Sequence, residues 1–154
     1  MSEAAIAPRW SIHRRIAVAT LVAGTLDITS AAIIATIHGR SPLAMLRAVA
    51  SGPFPPAREW GLAGALLGLV VHFVIMNIMV DVFMLASDRQ PALVRQPLLA
   101  GFAYGLLLWG VMSLIVLPLR WPATQPMLDP VTVLTQLFCH IVLVGIPIAL
   151  IARR

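Results

Sequence analysis

The sequence predicts an all-α polytopic membrane protein, a four-transmembrane-helix bundle with a short interfacial helix in the first loop. Three observations lead there. Hydrophobic residues make up 60% of the 154 positions and charged ones 11%, with a mean hydropathy of +0.93, far from the make-up of a soluble globular domain. The stretch Gly61 to Leu85, GLAGALLGLVVHFVIMNIMVDVFML, carries only His72, Asn77 and Asp81 as strongly polar side chains. At about 1.5 Å of rise per residue it is long enough to cross a hydrocarbon core of about 30 Å. Three more apolar runs of similar length follow or precede it, separated by short connections, so residues 1–154 read as one membrane domain.

Charge and cysteine content remove several function classes. The net charge of +5 comes from eleven arginines and no lysine, and they sit at the ends of apolar runs, where they orient a chain in a bilayer. No basic cluster interleaved with aromatics appears, so neither nucleic acid nor nucleotide is an expected partner. Cys139 is the single cysteine and has no CxxC partner. The chain lacks a nucleophile motif, a phosphate loop and a helix-borne HExxH, which argues against an enzyme or a nucleotide-driven pump.

Span one, about 16–37, follows a polar tail with Arg9, His13, Arg14 and Arg15. It is too long for a secretory signal core and holds Asp27 at its centre. In the first loop, Pro42 fits the first turn of a helix over about 42–51, capped by Ser41, with Leu43, Leu46, Val49 and Ala50 on one face; this segment is expected to lie in the interface. Gly52, Pro53, Pro55 and Pro56 end it, and Trp60 marks the head-group level. Span two, about 61–85, presents Gly64, Gly68 and His72 as a stripe at i, i+4 and i+8. Pro97 opens span three, about 98–119, whose Gly101 and Gly105 form a second GxxxG; Pro118 falls near its end, where it breaks little. The loop RWPATQPMLDP leads to span four, about 131–152, in which Pro147 predicts a kink. The closest helix contacts are expected to use Gly64 and Gly68 on span two and Gly101 and Gly105 on span three, or these glycines meet a second protomer in a homo-oligomer.

Seven arginines (Arg9, Arg14, Arg15, Arg89, Arg95, Arg153, Arg154) fall in the tail, second loop and C-terminus, against four (Arg40, Arg47, Arg58, Arg120) in the first and third loops. Both termini are therefore expected in the cytoplasm. A faint internal repeat pairs VAGTLD at 22–27 with LAGFAY at 99–104 and LVVHFV around His72 with LFCHIV around His140.

Asp27, His72 and His140 come from three spans at one depth. An ionised carboxylate at mid-bilayer costs about 2.5–3.5 kcal/mol, so Asp27 should face the bundle and find a partner. Its own stripe, Ala19, Ala23, Ala31 and Ala35, allows close packing. Three readings of the cluster stand side by side. It locks helix register, with Gln136, Thr25 or Tyr104 completing the hydrogen bonds; or it is a proton or ion pathway, with Asn77 and Asp81 as a cytoplasmic mouth; or His72, His140 and Asp27 hold a haem or metal ion, though no cofactor is the leading expectation. Asp81 also has a structural reading, reaching the interface or pairing with Arg89 or Arg95. The methionines Met76, Met79, Met84 and Met112 and Trp109 read as packing.

The words GTLDITSA (24–31), LLGLVVHF (66–73), YGLLLWGVMSLIVLPL (104–119) and HIVLVGIPIALIARR (140–154) resemble those of a bacterial four-span inner-membrane protein family of uncharacterised activity. A more distant similarity, in the third span and its closing proline, is to YagU-like inner-membrane proteins. The resemblance implies a multi-pass protein of the bacterial inner membrane and supplies no site residues. The function expected is transport or proton-linked, with a structural or accessory subunit as the alternative.

Overall fold

The structure, a computed structural model, describes residues 10–122 and 129–154. Arg9 and most of the expected loop RWPATQPMLDP lie outside the described residues. Four helices are long and apolar enough to cross a membrane: α1 (Ile12–Ile37), α3 (Gly61–Arg89), α4 (Pro97–Arg120) and α5 (Pro130–Ala152), with the short α2 (Pro42–Ala50) between the first two. This is a multi-pass, four-helix membrane bundle.

Local chemistry sets the helix ends. The Ser11 hydroxyl accepts from the Arg14 N–H at 3.3 Å and starts α1 a turn before the apolar run. Gly39, at φ +68°, closes α1 in the left-handed conformation that glycine adopts without a Cβ clash. Ser41 occupies the N-cap of α2 but makes no side-chain cap bond, contrary to the expectation; Pro42 at the first turn needs no acceptor for a missing N–H. The Asp129 carboxylate accepts from the Thr132 N–H at 3.0 Å at the head of α5, and that bond holds its carboxyl below the usual range.

The chain runs up and down. Trp10 N–H donates to the Arg154 carbonyl at 3.0 Å, and the Arg15 guanidinium donates to the Ala152 carbonyl at 3.0 Å and approaches Asp88 at 3.6 Å. These contacts gather the start of α1 and the ends of α3 and α5 at one end of the bundle, the termini end. At the opposite, loop end, Arg120 donates to the carbonyls of Ser51 and Gly52, the two residues that follow α2.

Helix α1 packs against α3 and α5, and α4 packs against α5. The termini half is filled by Ala19, Ala23, Val80, Phe83, Met84, Ile148, Ala149 and their neighbours. On α3 the buried stripe Gly64, Gly68, His72, Met76, Val80, Met84 lies opposite the exposed stripe Leu62, Leu66, Val70, Val74, Ile78, Val82, so one side meets protein and the other lipid.

The glycine stripes are points of close backbone approach, as expected, and each meets a different element. A side chain on Gly68 would overlap the Leu46 carbonyl, and one on Gly64 the Ala57 carbonyl, so this stripe seats α2 and the turn Pro55–Glu59. Gly101 and Gly105 meet α5 instead, against Ile146, Gly145, Ile141 and the His140 carbonyl. The physical reason is sequence proximity: α2 returns directly along α3, and α5 directly along α4, before the two glycine stripes could meet. All four glycines are thus used within the protomer. Helix α2 accordingly packs along α3, and Met45 and Val49 turn toward the bundle.

Two segments are wider than an α-helix. Val111–Val116 in α4 and Cys139–Gly145 in α5 are π-helical, each ending two residues before a proline, Pro118 and Pro147. A proline ring clashes with the carbonyl four residues back, here Leu114 and Leu143, and a widened turn moves that carbonyl aside. Pro118 therefore acts on the body of its span, which continues to Arg120, rather than merely ending it. The repeat expected from the paired words does not extend to packing: Gly24 lies beside Phe73, whereas its counterpart Gly101 lies beside Gly145 and Ile146.

Candidate functional site

Asp27 and His72 meet across the α1–α3 seam. His72 is buried, and its Nε2 donates to the Gly24 carbonyl at 2.9 Å. A carbonyl only accepts, so this nitrogen carries a proton and the tautomer is set. Nδ1 then points at Asp27 Oδ2 across 3.9 Å. In a neutral ring Nδ1 is an acceptor, and so is an ionised carboxylate. The separation is longer than the ~2.7–3.2 Å of a direct hydrogen bond, so the two groups face each other without one.

His140 on α5 donates from Nδ1 to the Gln136 carbonyl at 2.9 Å, one turn back, leaving Nε2 as its remaining nitrogen. All three residues line one cavity of about 360 Å³. Its wall takes residues from every span and from α2. The polar ones are Asp27, Ser30, His72, Ser113, Thr132, Gln136 and His140, and the rest are chiefly isoleucine, valine and methionine with Trp109. A second hollow of about 400 Å³ shares Ala31, Ile34, Met45 and Gln136 with the first and reaches Arg40 and Ser41 at the loop end. Toward the termini end, Met76 and Val144 belong both to the cavity wall and to the packed core, and they form its floor. The second hollow lies on the loop side of the first.

Asn77 and Asp81 lie apart from it. The Thr20 hydroxyl donates to Asn77 Oδ1 at 3.3 Å, and Asn77 Nδ2 donates to Asp81 Oδ2 at 2.7 Å. Both bonds fix the amide orientation, and the first ties α1 to α3. Asp81 pairs within its own helix, not with Arg89 or Arg95, because one helical turn brings Asn77 into reach while Arg89 lies about two turns further along α3 and Arg95 beyond its end. Tyr104 is not part of the cluster either. Its hydroxyl donates to the Met79 carbonyl at 2.6 Å and its ring packs on Phe83, joining α4 to α3. Thr25 is exposed on α1. Gln136 serves His140 through its backbone carbonyl, and its side chain belongs to the cavity wall.

Among the described residues no three His, Cys, Asp or Glu side chains converge as a metal site. Axial ligation of a haem by His72 would require Nε2 to leave Gly24 or Nδ1 to turn from Asp27. Sequence reasoning did not find Met45, Val49 and Ser113 on the wall, Gly145 in the α4–α5 contact, or the two π-helical segments. Pro118 and Pro147 were the available signal for the last.

Fold and site together define a multi-pass membrane protein with an internal cavity on whose wall a carboxylate faces an imidazole. Comparison with known proteins finds no matching family model, no matching curated protein and no matching solved structure.

Proposed function

We propose that this protein performs proton-linked transport, with Asp27 and His72 carrying the exchangeable proton and His140 serving the same cavity. The single observation that carries the reading is the geometry of the pair: Nε2 of His72 is committed to Gly24, so Nδ1 faces Asp27 Oδ2 across 3.9 Å, two groups placed to exchange a proton on the wall of a cavity beside a second hollow. Buried polar groups that serve only packing are paired off, as Thr20, Asn77 and Asp81 are; this pair stands open to the cavity.

The arginine distribution supports an orientation with both termini in the cytoplasm and the second hollow facing outward, in a bacterial inner membrane. Asn77 and Asp81, between the cavity floor and the termini end, are then the polar groups nearest a cytoplasmic exit.

The test is a proteoliposome carrying an internal pH dye under an imposed pH gradient. Wild-type protein should collapse the gradient faster than empty vesicles, and Asp27→Asn should remove that excess while keeping its melting temperature in detergent. An Asp27→Asn variant that melts earlier, with wild-type vesicles no leakier than empty ones, would favour the structural or accessory reading.

A further inference from the structure

We propose that the cavity binds a lipophilic organic cation, an onium or protonated amine on a compact apolar body, and that this cation takes the place of the proton shared by Asp27 and His72. The inference rests on the proton-linked reading and names the substrate class of the same site.

Size is the first argument. A path for protons alone needs little more than a file of water, whereas about 360 Å³ falls within the roughly 300–1,000 Å³ of small-molecule sites. The wall chemistry is the second. Met45, Met76, Met79 and Met112, from three different helices, present flexible, polarisable thioethers that repack around apolar bodies of varied shape. Trp109 adds an aromatic ring of the kind that attracts cations.

Charge decides the sign of the ligand. Among the described residues, the titratable groups on the wall are Asp27 from α1, His72 from α3, and Cys139 and His140 from α5; α2 and α4 contribute none, and no arginine lines the cavity. Asp27 is the only carboxylate there among the described residues. Arg40 lies in the second hollow and is exposed, where water and salt screen it. An anionic ligand would meet Asp27 directly, and a neutral one would leave the pair's proton where it is. A cation instead satisfies the carboxylate when the proton leaves.

The exchange balances without any other reactant. Before binding, Asp27 and His72 hold one proton between them, in addition to the Nε2 proton that His72 gives to Gly24. The entering cation pairs with the Asp27 carboxylate, the shared proton departs to the second hollow, and His72 stays neutral with its bond to Gly24 intact. One positive charge replaces another, so the net charge of the site is the same in both states. Proton and cation compete for one carboxylate, the condition for one-for-one exchange.

Purified protein in detergent, titrated calorimetrically with methyltriphenylphosphonium in weak buffer, tests this. The expected result is release of about one proton per cation bound, with affinity rising about tenfold per pH unit over the range in which the pair gives up its proton and levelling above it. Asp27→Asn should release no proton and bind at least about tenfold more weakly, Asp27→Glu should restore both, and tetraphenylborate should bind at least about tenfold more weakly than the phosphonium. Binding that ignores pH, equal binding by Asp27→Asn, or equal binding of the borate would overturn the proposal. So would silver ion binding that the phosphonium does not displace, which would mark a soft-metal site. Vesicles that show Asp27-dependent proton flux with no phosphonium binding would overturn this inference and leave the proton-linked reading standing; absence of both would end the two together.

Discussion

On the termini side of His72 the helices touch through alanine and glycine: Ala19 and Ala23 on α1, Gly101 and Gly105 on α4, Gly145, Ala149 and Ala152 on α5. On the loop side the facing residues are Ile28, Ile34, Met45, Trp109, Met112 and Leu117, and α4 beyond Gly110 makes no extensive contact with another span among the described residues. The first half is solid and the second encloses a cavity. Both halves are equally apolar, so hydrophobicity does not separate them. In lipid there is little hydrophobic drive between helices, and close approach depends on small residues at the contact. The size of the contact residues therefore decides where this bundle is packed and where it is open. Polar groups sort the same way: those of the solid half are paired across or along the helices, while Asp27 and His140 border the open one.

The largest test of the comparison is Gly145→Leu. Its side chain would overlap the backbone of Gly101 and Gly105, with no flexible neighbour to yield. Overpacking costs about 1–3 kcal/mol at sites that can relax, and this one should exceed that and abolish the melting transition in detergent. Gly68→Leu comes next. It should push α2 off α3 at the Leu46 carbonyl without disturbing the solid half, so the protein should still melt cooperatively while Cys139, buried on the cavity wall, becomes reactive to a maleimide. Unchanged labelling would mean that α2 does not close the cavity. Ser113→Leu, adding bulk on the open side, should stay within about 1 kcal/mol of wild type, because it grows into existing space.

Thr20→Val removes the hydroxyl that donates to Asn77 and should cost about 0.6 kcal/mol, the mean for interhelical hydrogen bonds in a membrane, read as a small drop in melting temperature. The smallest effect belongs to Asp129→Ala. The Asp129 pKa is lowered in the folded protein by its bond to Thr132, so its contribution is present above the ordinary carboxylate range and is lost as pH falls through the lowered value. The variant should melt slightly below wild type at neutral pH, and the difference should vanish in strong acid.

Much of this was legible where side-chain size or polarity recurs at helical spacing. The stripe Gly64, Gly68, His72 named the buried face of α3 from sequence, and depth alone put Asp27 and His72 in one plane. A stripe, however, states that something comes close, not what. Gly68 reads the same whether it meets a span, a second protomer or, as here, the backbone of α2. The run SPLAMLRAVA has the amphipathic pattern of a surface helix because one side meets protein and the other does not, and lipid and water produce similar patterns there. The way His72 presents Nδ1 to Asp27 was hidden for a different reason: it follows from the bond of Nε2 to Gly24, a backbone carbonyl that no pattern of side chains announces.

The wide turn at Val111–Val116 also gives α4 an unusual response to a change in length. An α-helix advances about 100° per residue, so removing one residue from an ordinary span rotates everything beyond it away from its neighbours. Removing one here, Val111 for example, would convert the wide turn to a normal one, and because an α turn one residue shorter sweeps nearly the same angle as the wide turn, Leu117–Arg120 would keep its bearing on Pro97–Gly110. Arg120 would still face the carbonyls of Ser51 and Gly52, so a deletion that an ordinary span could not absorb would leave the far end of the protein latched.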